Sequence, residues 1–253
     1  MTSANEPILV LRDVSKHFGG LTAVDQVSLQ ISPGEVVGLL GDNGAGKSTL
    51  IKMISGVYKP DNGQMLFQGK EVNFSSPMEA RHQGIETIYQ DLALCENLDA
   101  TANIFLGREP IKRQLGILNR VDRNYMLKES QQILDQLDII IPNLRRPIRQ
   151  MSGGQRQAVS IARAVYWNAR LMIMDEPTAA LGVPEQRKVL ELVRTLRDRG
   201  VPVIIISHNM QDVFAVADRI VVMRRGRKVG ERVTSETHVN EIVGLMVGAE
   251  QAV

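Results

Sequence analysis

The sequence predicts an α/β fold, a mostly parallel sheet with flanking helices and an inserted helical lobe. Three observations carry this reading. Short apolar runs at residues 36–40, 171–174 and 203–206 suit strands buried on both faces. Helical stretches at 48–54 and about 184–199 alternate with them, as a parallel sheet requires. From about Asp91 to Gln150 strand signals vanish, and helical ones replace them at 100–106 and 121–137.

Residues 8–18 alternate enough for a first strand, ended by Gly19-Gly20. Residues 27–31 read as a second, closed by the turn Ser32-Pro33-Gly34. The buried strand 36–40 and the helix 48–54 follow. Pro60-Asp61-Asn62-Gly63 is a strong turn that leads into a strand pair within 64–70. These early strands predict an antiparallel β subdomain. Residues 85–90 make a further strand candidate before the lobe. In the lobe, Asp122 lies beside the start of the second helix, where negative charge is favoured. Ser152 sits at an N-cap position before a helical stretch at 155–167. The core returns with 171–174, the helix at 184–199, the strand 203–206, strands at 219–223 and 228–233, and a last helix at about 238–247. The chain reads as a single domain over 1–253. Residues 1–90 and 164–253 form its core, and about 91–163 its lobe.

Composition narrows the class. The chain has 253 residues, 43% hydrophobic and 23% charged, which suits one large domain or a domain with an insertion. A net charge of +2 supplies no strong field for nucleic acid or anionic lipid. No apolar run approaches the roughly 20 residues of a membrane span. Residues 1–7 lack the basic and apolar regions of a signal peptide. The single cysteine, Cys95, suits a reducing compartment. The expectation is a soluble intracellular protein that meets a membrane only through a partner. Arg219, Arg224, Arg225, Arg227 and Lys228 form a basic cluster without interleaved aromatic residues, which reads as a solvated hairpin.

The chemistry centres on Gly41-Asp42-Asn43-Gly44-Ala45-Gly46-Lys47-Ser48-Thr49, which has the G-x-x-x-x-G-K-[ST] spacing of a P-loop. A strand, a glycine turn and a helix N-terminus aim backbone N–H groups and positive potential at one point, which favours a polyphosphate. Gly44 and Gly46 leave room for close approach. Lys47 can reach the β- and γ-phosphates, and the Ser48 hydroxyl can ligate Mg²⁺. Asp175 and Glu176 end the apolar run 171–174, beside the P-loop. There Asp175 can hold Mg²⁺ through water, and Glu176 can polarise a water for attack on the γ-phosphate. Ser152-Gly153-Gly154-Gln155 makes a second anion site at a helix start. One P-loop acting alone has no use for it, but a second subunit could present it to the γ-phosphate.

Met151-Ser152-Gly153-Gly154-Gln155 resembles the LSGGQ signature of ABC ATPases, with Met151 in the leucine place. With the P-loop and the Asp175-Glu176 strand end in that family's order and approximate spacing, the chain is identified as a member from about residue 8 onward. The resemblance implies the P-loop NTPase fold of an ABC ATPase core. Gln90 is similar to the glutamine that contacts Mg²⁺ and the attacking water and links to the lobe. His208 resembles the switch histidine at the γ-phosphate. Phe18 resembles the aromatic that stacks on adenine, and Val24 would line the same side. One departure stands out: after Ala180-Leu181 the family usually has Asp, and this chain has Gly182.

Residues 91–109 resemble a segment of monosaccharide importers of the ribose, xylose and fructose type. Residues 176–182 and 207–210 are similar to single-domain members of that branch, particularly fructose-type ATPases. The resemblance implies an ATPase that uses ATP and Mg²⁺, cytoplasmic and peripheral on the inner face of the cell membrane. It would act as a homodimer, with residues 152–155 working in trans. Its partners would be membrane permease subunits, received on the lobe surface around 91–109, and indirectly a periplasmic or extracellular substrate-binding protein. No nucleic acid is expected. An importer for another substrate, an exporter subunit, and a soluble member acting on nucleic acid or ribosomes remain as alternatives. The tandem domains, coiled-coil insertions and basic linkers of that last class are not visible. No further regulatory domain is expected after about residue 233.

Overall fold

The computed structural model describes residues 6–89, 91–114, 118–179 and 181–249. Among them, β1 (Leu9–Phe18), β2 (Leu21–Ile31), β4 (Asn62–Phe67) and β5 (Lys70–Glu71) form an antiparallel sheet in the order β2-β1-β4-β5. The main sheet runs β12-β11-β3-β10-β9-β6. It comprises β3 (Val36–Leu40), β6 (Ile85–Ile88), β9 (Leu171–Asp175), β10 (Val203–Ile206), β11 (Arg219–Arg224) and β12 (Arg227–Val233). Every pairing in it is parallel except that of β12 with β11. The helices are α1 (Lys47–Ile54), α2 (Pro77–His82), α3 (Ala100–Phe105), α4 (Arg123–Gln136), α5 (Gly153–Tyr166), α6 (Val183–Asp198), α7 (Met210–Val216) and α8 (Val239–Val247). None is long and apolar enough to cross a membrane.

The apolar strands are continuous because both sheet faces are buried, against different partners. Val36 and Leu40 of β3, Met172 and Met174 of β9, and Val203 and Ile205 of β10 point into one cluster, with α3 to α6. The residues between them, Val37, Leu39, Leu171, Ile173, Ile204 and Ile206, join α1 and the antiparallel sheet in the other. Each such side chain contributes roughly 1.5–3 kcal/mol of burial.

The lobe is not wholly helical. A hairpin of β7 (Ile111–Gln114) and β8 (Leu118–Val121) stands between α3 and α4, where no strand was expected. Its ends, Ile111 and Val121, are both exposed, so the burial that makes other strands legible is missing. The loop before α3 is tied down from two sides. Buried Asn103 donates to the carbonyls of Cys95 and Asp99 and accepts from the Cys95 N–H. Arg163 of α5 donates to the Ala93 carbonyl oxygen at 3.2 Å.

The basic residues lie on the hairpin β11–β12, as expected, with Arg225, Arg227 and Lys228 exposed, and several of them are ion-paired. Arg219 is half-buried and bonds Glu35 and Glu231, Arg227 bonds Asp25, and Lys228 bonds Glu231.

Candidate functional site

β3 brings the chain to Gly41 on a fully buried strand. A Cβ on Gly41 would lie 2.2 Å from the Met223 carbonyl oxygen, and φ there is +149°. Gly46, the N-cap of α1, has φ +99°, and its Cβ would lie 2.5 Å from the Ala23 carbonyl oxygen. Gly46 therefore makes room for β2 and the β11–β12 turn. Gly44 (φ +78°) faces open space and is the glycine that keeps a ligand's approach clear. Asp42, Asn43, Gly44 and Ser48 are exposed, whereas the Ala45 side chain is buried and leaves its backbone to the loop. No side chain caps α1, so the N–H groups of its first turn, at Lys47, Ser48 and Thr49, have no side-chain acceptor. Lys47 Nζ donates to the carbonyls of Gly41 (2.6 Å) and Asp42 (2.9 Å).

Strand order places the other groups. β10 lies between β3 and β9, so Asp175 and Glu176 at the end of β9 and His208 just beyond β10 emerge next to the loop after β3. Glu176 has left-handed backbone, φ +52°, which costs a non-glycine residue about 1–2 kcal/mol. Its N–H donates to Ile206 O at 2.8 Å, and its carbonyl accepts from Ala179 N–H at 3.1 Å. Those bonds hold the chain in the turn that aims the carboxylate at His208. Glu176 Oε1 accepts the His208 N–H at 3.0 Å, and Oε2 lies 2.8 Å from His208 Nδ1.

The electrostatics fit a site built for a charged ligand. Burial lowers the Lys47 pKa, against the pull of Glu176, Asp42 and Asp175. Burial raises that of Asp175, and the charge of Glu176 adds to it, with Lys47 and Lys52 opposing. Three carboxylates, Asp42, Asp175 and Glu176, stand against two lysines, Lys47 and Lys52, and leave the cluster short of positive charge. With the Ser48 hydroxyl they are hard oxygen donors that suit Mg²⁺, which takes few protein ligands and fills its shell with phosphate oxygens and water. Among the described residues no group of three or more His, Cys, Asp or Glu side chains is gathered to hold a metal alone.

The remaining expected residues lie apart from this cluster. Ser152 caps α5, accepting from Gln155 N–H at 3.3 Å, while the Gln155 side chain accepts the Ser152 N–H at 3.1 Å. No described hydrogen bond joins residues 152–155 to the P-loop. A Cβ on Gly153 would lie 2.5 Å from the Leu181 side chain, and one on Gly154 2.9 Å from that of Glu185. Phe18, 42% exposed, offers a ring edge-to-face with Tyr58, 5.1 Å between centroids. Val24 follows in β2. It is fully buried in the apolar cluster beneath the antiparallel sheet. Gln90 lies outside the described residues. Sequence reasoning missed Tyr58 and Ser207. Tyr58 has no motif around it. Ser207 is buried, and its Oγ accepts from Asn209 N–H at 3.1 Å, bracing the turn that carries His208.

A family model described as "ABC transporter" matches residues 24–179, more than half of the chain. The chain belongs to the ABC transporter family. It is 52% identical to the xylose/arabinose import ATP-binding protein XylG of Sulfolobus acidocaldarius, over 94% of this chain and 93% of that protein. The fructose import ATP-binding protein FrcA of Rhizobium meliloti is 46% identical, over 98% and 96%. A ribose import ATP-binding protein, RbsA 1 of Rubrobacter xylanophilus, is 44% identical over 96% of this chain but only 47% of its own length. Among solved structures, a nucleotide-free ATP-binding cassette from an ABC transporter superposes with TM-score 0.82 at 26% identity, over 95% and 98%. A dimeric post-hydrolysis cassette bound to ADP and phosphate gives TM-score 0.73 at 25% identity, over 89% and 98%.

Proposed function

We propose that this ABC protein is the ATP-binding and ATP-hydrolysing subunit of an importer for a monosaccharide. The observation that carries the ATPase reading is the delivery of Lys47, Asp175, Glu176 and His208 to one place by three adjacent parallel strands. The sugar class rests on XylG and FrcA, which match this chain nearly end to end.

Two chains bind two ATP molecules head to tail. The P-loop residues 41–49 of one chain hold the phosphates, and the capped start Ser152-Gly153-Gly154-Gln155 of the other covers the γ-phosphate. Phe18 stacks on the adenine ring. Ser48 and Asp175, with Gln90, would hold Mg²⁺, which would supply positive charge to offset that of the phosphates. Glu176 accepts the proton of the attacking water, a role worth about 10²–10⁴-fold. It is free to do so once His208 turns from Glu176 to the γ-phosphate.

The lobe, about residues 91–163, moves relative to the core, 1–90 and 164–253, as the two chains close. α5 spans that join as one helix, Gly153–Tyr166, and so transmits the motion. The surface around 91–109 receives the permease subunits, which keeps the protein at the inner face of the membrane. A substrate-binding protein outside supplies the sugar.

The test is a pull-down of tagged Glu176→Gln from gently solubilised membranes with Mg-ATP. Co-purification of a polytopic permease and a sugar-binding protein is the expected result. Ribosomal or DNA-associated partners without a membrane protein would overturn the importer reading.

A further inference from the structure

Glu176 and His208 lie on different segments, and a buried side-chain pair joins those segments just behind them. Thr178 is 3% exposed and Asp212 6%. The Thr178 hydroxyl donates to Asp212 Oδ2 at 2.6 Å. Thr178 is two residues beyond Glu176. Asp212 is in the first turn of α7, four residues beyond His208. Two polar groups removed from water are costly unless each satisfies the other, so this contact holds the segments at a fixed separation.

The chain beyond Thr178 leads to the family departure at Gly182. Leu181 N–H donates to the Thr178 carbonyl at 3.2 Å, and the Leu181 carbonyl accepts from Gln186 of α6 at 3.0 Å. The Leu181 side chain abuts Gly153. A continuous set of contacts thus runs from α7 through Asp212, Thr178 and Leu181 to the start of α5. Gly182 itself has no side chain to send a charge across a subunit contact.

We propose that Thr178 and Asp212 are a positioning pair that keeps Glu176 and His208 in register for hydrolysis and passes movement of His208 to Leu181 and the Ser152–Gln155 helix start. This rests on the ATPase reading above. Neither residue touches nucleotide; they act through Glu176 and His208.

The experiment compares full-length wild type with Thr178→Val, Thr178→Ser and the double variant Thr178→Val/Asp212→Ala. Steady-state ATP hydrolysis, ATP binding by calorimetry and thermal unfolding are measured for each. In Thr178→Val, kcat should fall at least tenfold while KM and the ATP dissociation constant stay within about threefold. Thr178→Ser should restore kcat to within about threefold of wild type. The double variant leaves no unpaired buried carboxylate, so its unfolding temperature should recover while kcat stays at least tenfold low. If Thr178→Val fails to fold, the double variant decides.

Wild-type kcat in the double variant, or in a folded Thr178→Val, would overturn the proposal, as would a loss of kcat matched by an equal loss of ATP affinity. Wild-type protein that neither binds nor hydrolyses ATP would overturn the ATPase reading itself, and the pair's role with it.

Discussion

Glu176 and His208 hold each other at two points, one carboxylate oxygen on the His208 backbone N–H and the other 2.8 Å from ring Nδ1. An ionised carboxylate only accepts, so Nδ1 is the donor in this contact. On the proposed ATPase reading, the Glu176 carboxylate is engaged by His208 and must be released before it can act as base. Glu176→Gln should therefore lower kcat at least about 100-fold with little change in ATP affinity, and should gather as a dimer with Mg-ATP. Light scattering that finds only monomer at saturating ATP would count against the sandwich of two isolated chains.

Lys47→Ala removes the cation beside Asp42, Asp175 and Glu176 that the proposed function places on the phosphates. Affinity for ATP should fall at least about tenfold, or 1.4 kcal/mol. Calorimetry that shows unchanged binding would remove Lys47 from its assigned role.

Gly182 caps α6 with ordinary extended backbone, φ −68° and ψ 160°. Gly182→Asp introduces no backbone strain, and its Cβ meets only the mobile tip of Glu185, 2.9 Å away. Replacing a glycine cap with Asp is worth a few tenths of a kcal/mol. ATPase activity should stay within about tenfold of wild type. Complete loss would show that the missing carboxylate position has a further role in this chain.

Two glycines of one loop should respond differently to the same change. Gly44→Ala meets only the left-handed backbone cost, about 1–2 kcal/mol. Gly46→Ala adds a collision with the Ala23 carbonyl, roughly another 1–3 kcal/mol. Urea unfolding should rank Gly46→Ala clearly below Gly44→Ala, and equal midpoints would refute the packing argument.

Glu231 supplies a pH limb to stability. Burial alone would raise its pKa, but the Lys228 hydrogen bond and Arg219 hold it below the ordinary glutamate value. The stabilisation is full above that ordinary value and is lost as pH falls through the lowered folded value. Glu231→Gln should be less stable than wild type at neutral pH, and the gap should close on acidification below about pH 4. A gap that is constant with pH would assign the loss to packing.

Much of the fold was legible where burial writes itself into composition. β3, β9 and β10 are apolar runs because two cores share their sheet. Ser152 was legible because a cap is a local bond between near neighbours. The β7–β8 hairpin was not, since its end residues Ile111 and Val121 are exposed and offer no buried face to read. α2 and α7, of six and seven residues, were not expected, although α3 is as short as α2 and was. Glu176 was found by its place after an apolar strand, but its left-handed backbone depends on the Ile206 carbonyl, 30 positions away.

The two hydrogen bonds from Lys47 to the carbonyls of Gly41 and Asp42 bear on what happens between turnovers. A glycine-rich loop without ligand would be free to wander, and each new nucleotide would have to freeze it again. The lysine spans the loop from its exit to its entry and ties the two ends together. The conformational entropy of that shape is lost once, on folding, and does not weaken each binding event.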